Sequence, residues 1–198
     1  GRSGLGHAGA GGKSWASDIS ARAQPVQHLV LAHVLAVHSR EDALRAARAS
    51  AASPEALYAA ELLLFLALSR ESAKDPIPGL RVADVLSFLR VLPHYHEALA
   101  RCARKVELTD WKYLFPAGNS PQRLLREVLP SRPAVAAQLL AVSQGLSGPG
   151  AAYEEGGPVL AAALALHDYP LARQLHDFLG RAAEAAAIDR ASGMFGGG

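Results

Sequence analysis

The sequence predicts an all-α fold, an irregular α-solenoid of about ten short antiparallel helices. Strand signals are absent: no run alternates apolar and polar residues over strand length, and valine and threonine clusters are sparse. Apolar residues recur instead at helical spacing, between breaks marked by proline and glycine. The segments between breaks are short and joined by short turns, which suits helical hairpins in series better than a four-helix bundle. No strict sequence repeat is present, so the array is a degenerate one.

Each element follows from local signals. Residues 1–23 are rich in glycine and serine without periodicity and read as disordered linker, as do residues 191–198, which end in SGMFGGG. The helical array is expected over 24–190. Pro25 opens a first helix to about His38, and Ser39 caps the second, with Asp42 three residues on in a variant of the capping box. Ser53-Pro54-Glu55 supplies a cap, a first-turn proline and an acid for the third, which stops before DPIPG. A fourth spans Leu80 to Leu92, where Pro93 forces a break; a fifth runs from His94 to Val106, and a short sixth from Leu108 to Phe115. Ser120-Pro121 starts the seventh and Arg132-Pro133 the eighth, which runs to about Gln144. A loop, GLSGPGAAYEEGG, then precedes two last helices, Pro158 to His167 and Pro170 to Ala187.

Composition excludes several function classes. With 198 residues, 50% of them hydrophobic, the chain can bury one core. A net charge of +2 generates no strong field toward nucleic acid or acidic membranes. The lone cysteine, Cys102, cannot form an internal disulfide, which fits a reducing compartment. The longest apolar stretch, Leu57 to Leu68, is interrupted by Glu61 and is too short to cross a bilayer. The chain opens on glycine without a charged-then-apolar leader, so secretion is not expected and the natural protein is expected to extend upstream.

The chemistry-bearing motifs mostly fail on spacing. GHAGAGGKS resembles a phosphate-binding loop, but the leading glycine should stand at position 7, which is His7, and no strand precedes it. His94 and His96 lie two apart and point to different faces; His28, His33 and His38 lie five apart. In His167-Asp168 and His176-Asp177 the partners are sequence neighbours, which do not face each other on a helix. No catalytic residue, metal ligand or cofactor is therefore assigned.

The unusual residues gather in CARKVELTDWKYLFPAGNSP, Cys102 to Pro121. Cys102 could be a nucleophile, but Tyr95, Ala98, Leu99, Cys102 and Val106 fall on one apolar helical face, which makes it a small buried hydrophobe with a poorly reactive thiol. The same wheel sends Arg101, Arg104 and Lys105 to the wet side, where they complement the negative helix end. They read either as a solvated basic face or as a docking surface for an acidic partner. Leu108, Trp111 and Leu114 or Phe115 share a face that buries the indole and leaves Lys112 and Tyr113 outside.

The longer run LPHYHEALARCARKVELTDWKYLFPAGNSPQRLLREVL resembles the C-terminal helical region of the ribosome-control-protein-one (Ric-one) family, the larger subunit of a two-protein exchange factor for a Golgi Rab GTPase. The resemblance centres on Cys102-Ala103-Arg104-Lys105, Glu107, Trp111 and Tyr113-Leu114-Phe115, with Pro93 and Tyr95 upstream and Gly118-Asn119, Pro121, Leu124 and Glu127 downstream. The chain departs from the pattern at Ser120, an extra residue before the proline, and at Leu125, where the family tends to have phenylalanine. The resemblance implies an α-solenoid that in full-length relatives follows amino-terminal β-propellers. It implies nucleotide exchange on a Golgi Rab, a smaller arrestin-like partner subunit, and cytoplasmic work at Golgi membranes in endosome-to-Golgi retrograde traffic. Membrane association would run through the complex, and no nucleic acid is involved. It transfers no catalytic side chain: exchange works by preferring the nucleotide-free GTPase through protein contacts. The rival reading is a generic α-solenoid adaptor, coat or tether component without exchange activity. A third, an enzyme with its own small-molecule site, finds no polar constellation to support it.

Overall fold

A computed structural model describes residues 26–195 apart from residues 76 and 117. The linker read over 1–23 and the tail residues 196–198 lie outside the described residues. Among the described residues nine α-helices follow in order: α1 (Gln27–Val37), α2 (Arg40–Ala49), α3 (Ala56–Ser72), α4 (Val82–Leu89), α5 (Tyr95–Ala103), α6 (Trp111–Leu114), α7 (Pro121–Val128), α8 (Pro133–Ala165) and α9 (Tyr169–Phe195). A 3₁₀ turn at Leu108–Asp110 leads into α6, and no strand occurs among the described residues. Each helix packs chiefly on its neighbours: α1 on α2 and α3, α3 on α4 and α5, α5 on α8, α7 on α8, and α8 on α9. That serial packing is the signature of an α-solenoid. No described helix is long and apolar enough to cross a membrane.

The core is built from alanine and leucine at helical spacing. In α3, Ala60, Leu63, Leu64, Ala67 and Leu68 are buried, and α5 lays Tyr95, Ala98, Leu99 and Cys102 against it. Small alanines let the helices approach closely while the leucines fill the gaps between them. The predicted caps at Ser39 and Ser120 form: their side chains accept from the amides of Asp42 and Arg123, both at 3.2 Å. Pro121 and Pro133 occupy first-turn positions, where a missing N–H costs nothing.

Three boundaries differ from the sequence reading. Ser53-Pro54-Glu55 forms a turn, and α3 starts at Ala56 without a side-chain cap, because the Ser53 carbonyl already accepts from the Ala56 amide. The loop expected over residues 145–157 is helical on both sides of a single break. Gly148 takes φ 80° and ψ 177°, which reverses the chain and divides α8 into two arms. Ser143 Oγ, on the first arm, donates to Glu155 Oε2, on the second, at 2.8 Å. Twelve residues along a continuous helix would hold them about 18 Å apart, so the arms form a hairpin. The glycines and Pro158 fail to break the second arm because Ala152, Gly156, Val159 and Ala163 bury one continuous stripe. Finally, α9 continues to Phe195, so residues 191–195 of the expected tail are helical.

Candidate docking surface

The stretch from Arg101 to Pro121 crosses the C-terminal end of α5, the 3₁₀ turn, α6 and the cap of α7. Its apolar members anchor it. Trp111 is buried and donates from Nε1 to the Ala103 carbonyl at 3.0 Å, closing the turn between α5 and α6. Phe115 meets the indole edge-on, ring centres 5.9 Å apart, while Leu114 is fully buried. Beneath the indole lies Gly145, where a Cβ would stand 3.1 Å from the ring. Glu107 is exposed and its carbonyl accepts from the Asp110 amide at 3.0 Å, starting the 3₁₀ turn. Gly118 adopts φ 85°, its carbonyl accepting from Arg123 Nη1 at 2.7 Å, and Pro121 is buried at the start of α7. Leu108 departs from expectation: it opens the 3₁₀ turn and is 59% exposed, whereas Trp111 and Leu114 are buried.

Cys102 is fully buried, and burial pushes its thiol up to about 12, with Glu61 adding to the rise, Lys105 opposing it and Asp110 adding again. The thiol is protonated and shielded, which removes it as a nucleophile at physiological pH.

The five basic and aromatic candidates separate into two sets. Arg101 is engaged on its own helix, donating from Nη2 to Glu97 Oε1 at 2.8 Å. Lys105 is engaged across the fold: its Nζ pairs with Glu61 Oε1, from the middle of α3. The Glu61 side chain is 2% exposed and that of Lys105 56%, so this cation neutralises a buried carboxylate from the surface. Arg104 and Lys112 are exposed and form no ion pair among the described residues. Lys112 Nζ sits 4.9 Å from the centre of the Tyr113 ring, and Tyr113 is half-buried against the core. The surface left for a partner is therefore Arg104, Lys112 and the outer edge of Tyr113, with the exposed Leu108 in the turn just before them.

Two features escaped the sequence reading. Glu61 was visible there only as an interruption of an apolar run, yet it shares a helical face with Leu57, Leu64 and Leu68, the signal of a buried acid. The second is a polar node between α5 and α7. His96 Nε2 lies 3.6 Å from Glu127 Oε1, Arg132 Nη2 lies 3.5 Å from His96 Nδ1, and Arg132 Nη1 donates to the Pro93 carbonyl at 2.7 Å. Burial lowers the imidazole pKa below its ordinary value; Glu127 opposes, and Arg132 and Arg90 act with the burial.

Comparison with known proteins identifies the architecture. The family model described as the RIC1 C-terminal alpha solenoid region matches residues 28–194. The chain is 30% identical over 154 residues to the mouse guanine nucleotide exchange factor subunit RIC1, and 29% identical over 154 residues to the human one. Both alignments cover 77% of this chain and 11% of the relative. Guanine nucleotide exchange factor subunit R06F6.8 of Caenorhabditis elegans is 36% identical over 88 residues, 44% of this chain and 6% of that protein. The chain thus spans about a tenth of the length of its mouse and human relatives. No solved structure matches. An all-helical serial array, matched over nearly all of its described length, makes this chain a member of the RIC1 family, carrying that family's C-terminal alpha solenoid region.

Proposed function

We propose that this chain is a helical scaffold segment of a guanine nucleotide exchange factor subunit acting on a Golgi Rab GTPase in retrograde traffic. It works through protein contacts with that GTPase or with a smaller arrestin-like subunit, at the cytoplasmic face of Golgi membranes. The observation that carries the reading is the alpha solenoid match together with the exposed Arg104 and Lys112, which form no ion pair among the described residues, in its most family-specific block. Exchange needs a surface that binds the nucleotide-free GTPase better than the loaded one, and not a proton-transfer or nucleophilic side chain. Arg104, Lys112 and Tyr113 suit an acidic partner patch: a guanidinium that can fork onto a carboxylate, an ammonium, and an aromatic edge. Arg101 and Lys105 support that surface by holding α5 to itself and to α3.

The test joins binding and activity. Purified chain is titrated against the smaller subunit and against the nucleotide-free Rab. Release of a fluorescent nucleotide from the Rab is then followed with the full-length subunit and its partner, with and without this region. Charge reversal at Arg104 and Lys112 should weaken binding about tenfold or more at low salt. A folded chain that binds neither protein, together with full exchange after its removal, would refute the assignment.

A further inference from the structure

A groove of about 700 Å³ lies between the second arm of α8 and the C-terminal half of α9. Its floor is Ala183 and Ala186, and its mouth opens at the Gly148 reversal, where an added Cβ would meet nothing within 4 Å. One wall carries Tyr153, 55% exposed, and Glu154; the other carries Asp189 and Arg190.

Charge decides what the groove accepts. Glu154 and Asp189 stand on facing walls, both exposed, and neither enters an ion pair among the described residues. Arg190 lines the same groove, but its Nε donates to the Ala186 carbonyl of its own helix at 3.1 Å and it pairs with neither carboxylate among the described residues, which leaves two carboxylates against one guanidinium. The volume is within the range of binding clefts, and the exposed Tyr153 ring beside a small-residue floor forms a surface that gains by being covered. From the facing carboxylates over an alanine floor, we infer that this groove binds a segment of a protein partner that seats an apolar side chain on Ala183 and Ala186 and a lysine or arginine between Glu154 and Asp189. The site lies on other helices from Arg104 and Lys112 and selects the opposite charge.

The inference is tested on the 198-residue chain, whose net charge of +2 gives a cationic probe no general attraction. Two fluorescein-labelled peptides, one with leucine, alanine and arginine at helical spacing and its twin with glutamate for arginine, are titrated and followed by anisotropy. The arginine peptide should bind saturably and the glutamate twin should not. Glu154→Lys with Asp189→Lys should weaken binding about tenfold or more, whereas the charge-matched Glu41→Lys with Glu55→Lys, on and before other helices, should not. Ala186→Leu, which fills the floor, should weaken it with the carboxylates intact; circular dichroism checks each fold, and the exposed lysine pair decides if Ala186→Leu misfolds. Equal binding of both peptides, no binding, or full binding by the Glu154→Lys, Asp189→Lys chain overturns the inference. None of these variants touches Arg104 or Lys112, so the outcome is independent of the exchange reading.

Discussion

Glu61 is a charged residue on a buried helical face, and its partner stands 44 positions away. A carboxylate out of water is tolerated only when a cation and hydrogen bonds replace its hydration. Lys105 supplies that cation from the turn just after α5, so the end of α5 and α3 are joined by charge as well as by packing. Lys105→Ala should cost about 1–3 kcal/mol, less than a fully buried pair because the ammonium is half in water. Glu61→Gln in the same background should recover part of the loss, since a neutral amide needs no counter-ion; urea unfolding of the double-mutant cycle measures both. Additive losses would show that the two residues do not interact. Cys102, against the same pair, has a second consequence. An unfolded thiol ionises near 9.0 and the folded one near 12, so the unfolded state loses its proton first and stability falls as pH rises through that interval. At pH 8 a thiol reagent should label Cys102 no faster than the chain unfolds; rapid labelling of folded protein would contradict its burial.

Between elements, junctions matter more than helix interiors. Gly79, in the turn from α3 to α4, holds φ 76°, and a Cβ there would run into the backbone carbonyl of Leu35 in α1. Because backbone cannot step aside, Gly79→Ala should destabilise by about 2–4 kcal/mol, read as a drop in thermal midpoint. The node between α5 and α7 makes the array sensitive to acid. His96 holds its proton less well folded than unfolded, so the unfolded state takes up protons first below about 6.5, and stability is lost as pH falls through that range. His96→Gln should flatten this part of the stability profile; an unchanged slope would remove the node from the acid response. Helix existence was legible because local chemistry decides it: Ser39 and Ser120 cap as their residue types predict. The region from Gly145 to Gly157 was not legible. Its glycines and Pro158 signal a loop, but the stripe that overrides them packs on α9, with Gly156 admitting Leu179, a contact more than twenty residues away.

At the scale of the whole molecule, the docking surface shows why a helical wheel is an incomplete guide to function. The wheel placed Arg101, Arg104, Lys105 and Lys112 toward water; the last three are exposed and Arg101 is half-buried against Glu97, but the wheel could not show which charges were already committed. Lys105 is committed to a residue on another helix, and only the stacked array reveals that Arg104 and Lys112 form no ion pair among the described residues. The array also sets how the protein opens. In a serial stack each helix is held by its neighbours, so an end helix is braced on one side and a middle one on several. Helix α5 touches α3, α6 and α8 and buries every residue from Ala98 to Ala100, whereas α1 leaves Leu29, Val30 and Val37, and Val26 just before it, half or more exposed. Native-state hydrogen exchange should therefore find the slowest amides in α5 and the adjoining face of α3. Amides of α1 and the last turns of α9 should exchange through local opening at far lower free energy. Uniform protection from α1 to α9 would mean that the stack opens as a single cooperative unit. In that event the ends could not loosen alone, and partner binding at either end would stabilise the whole array and not only the helices it touches.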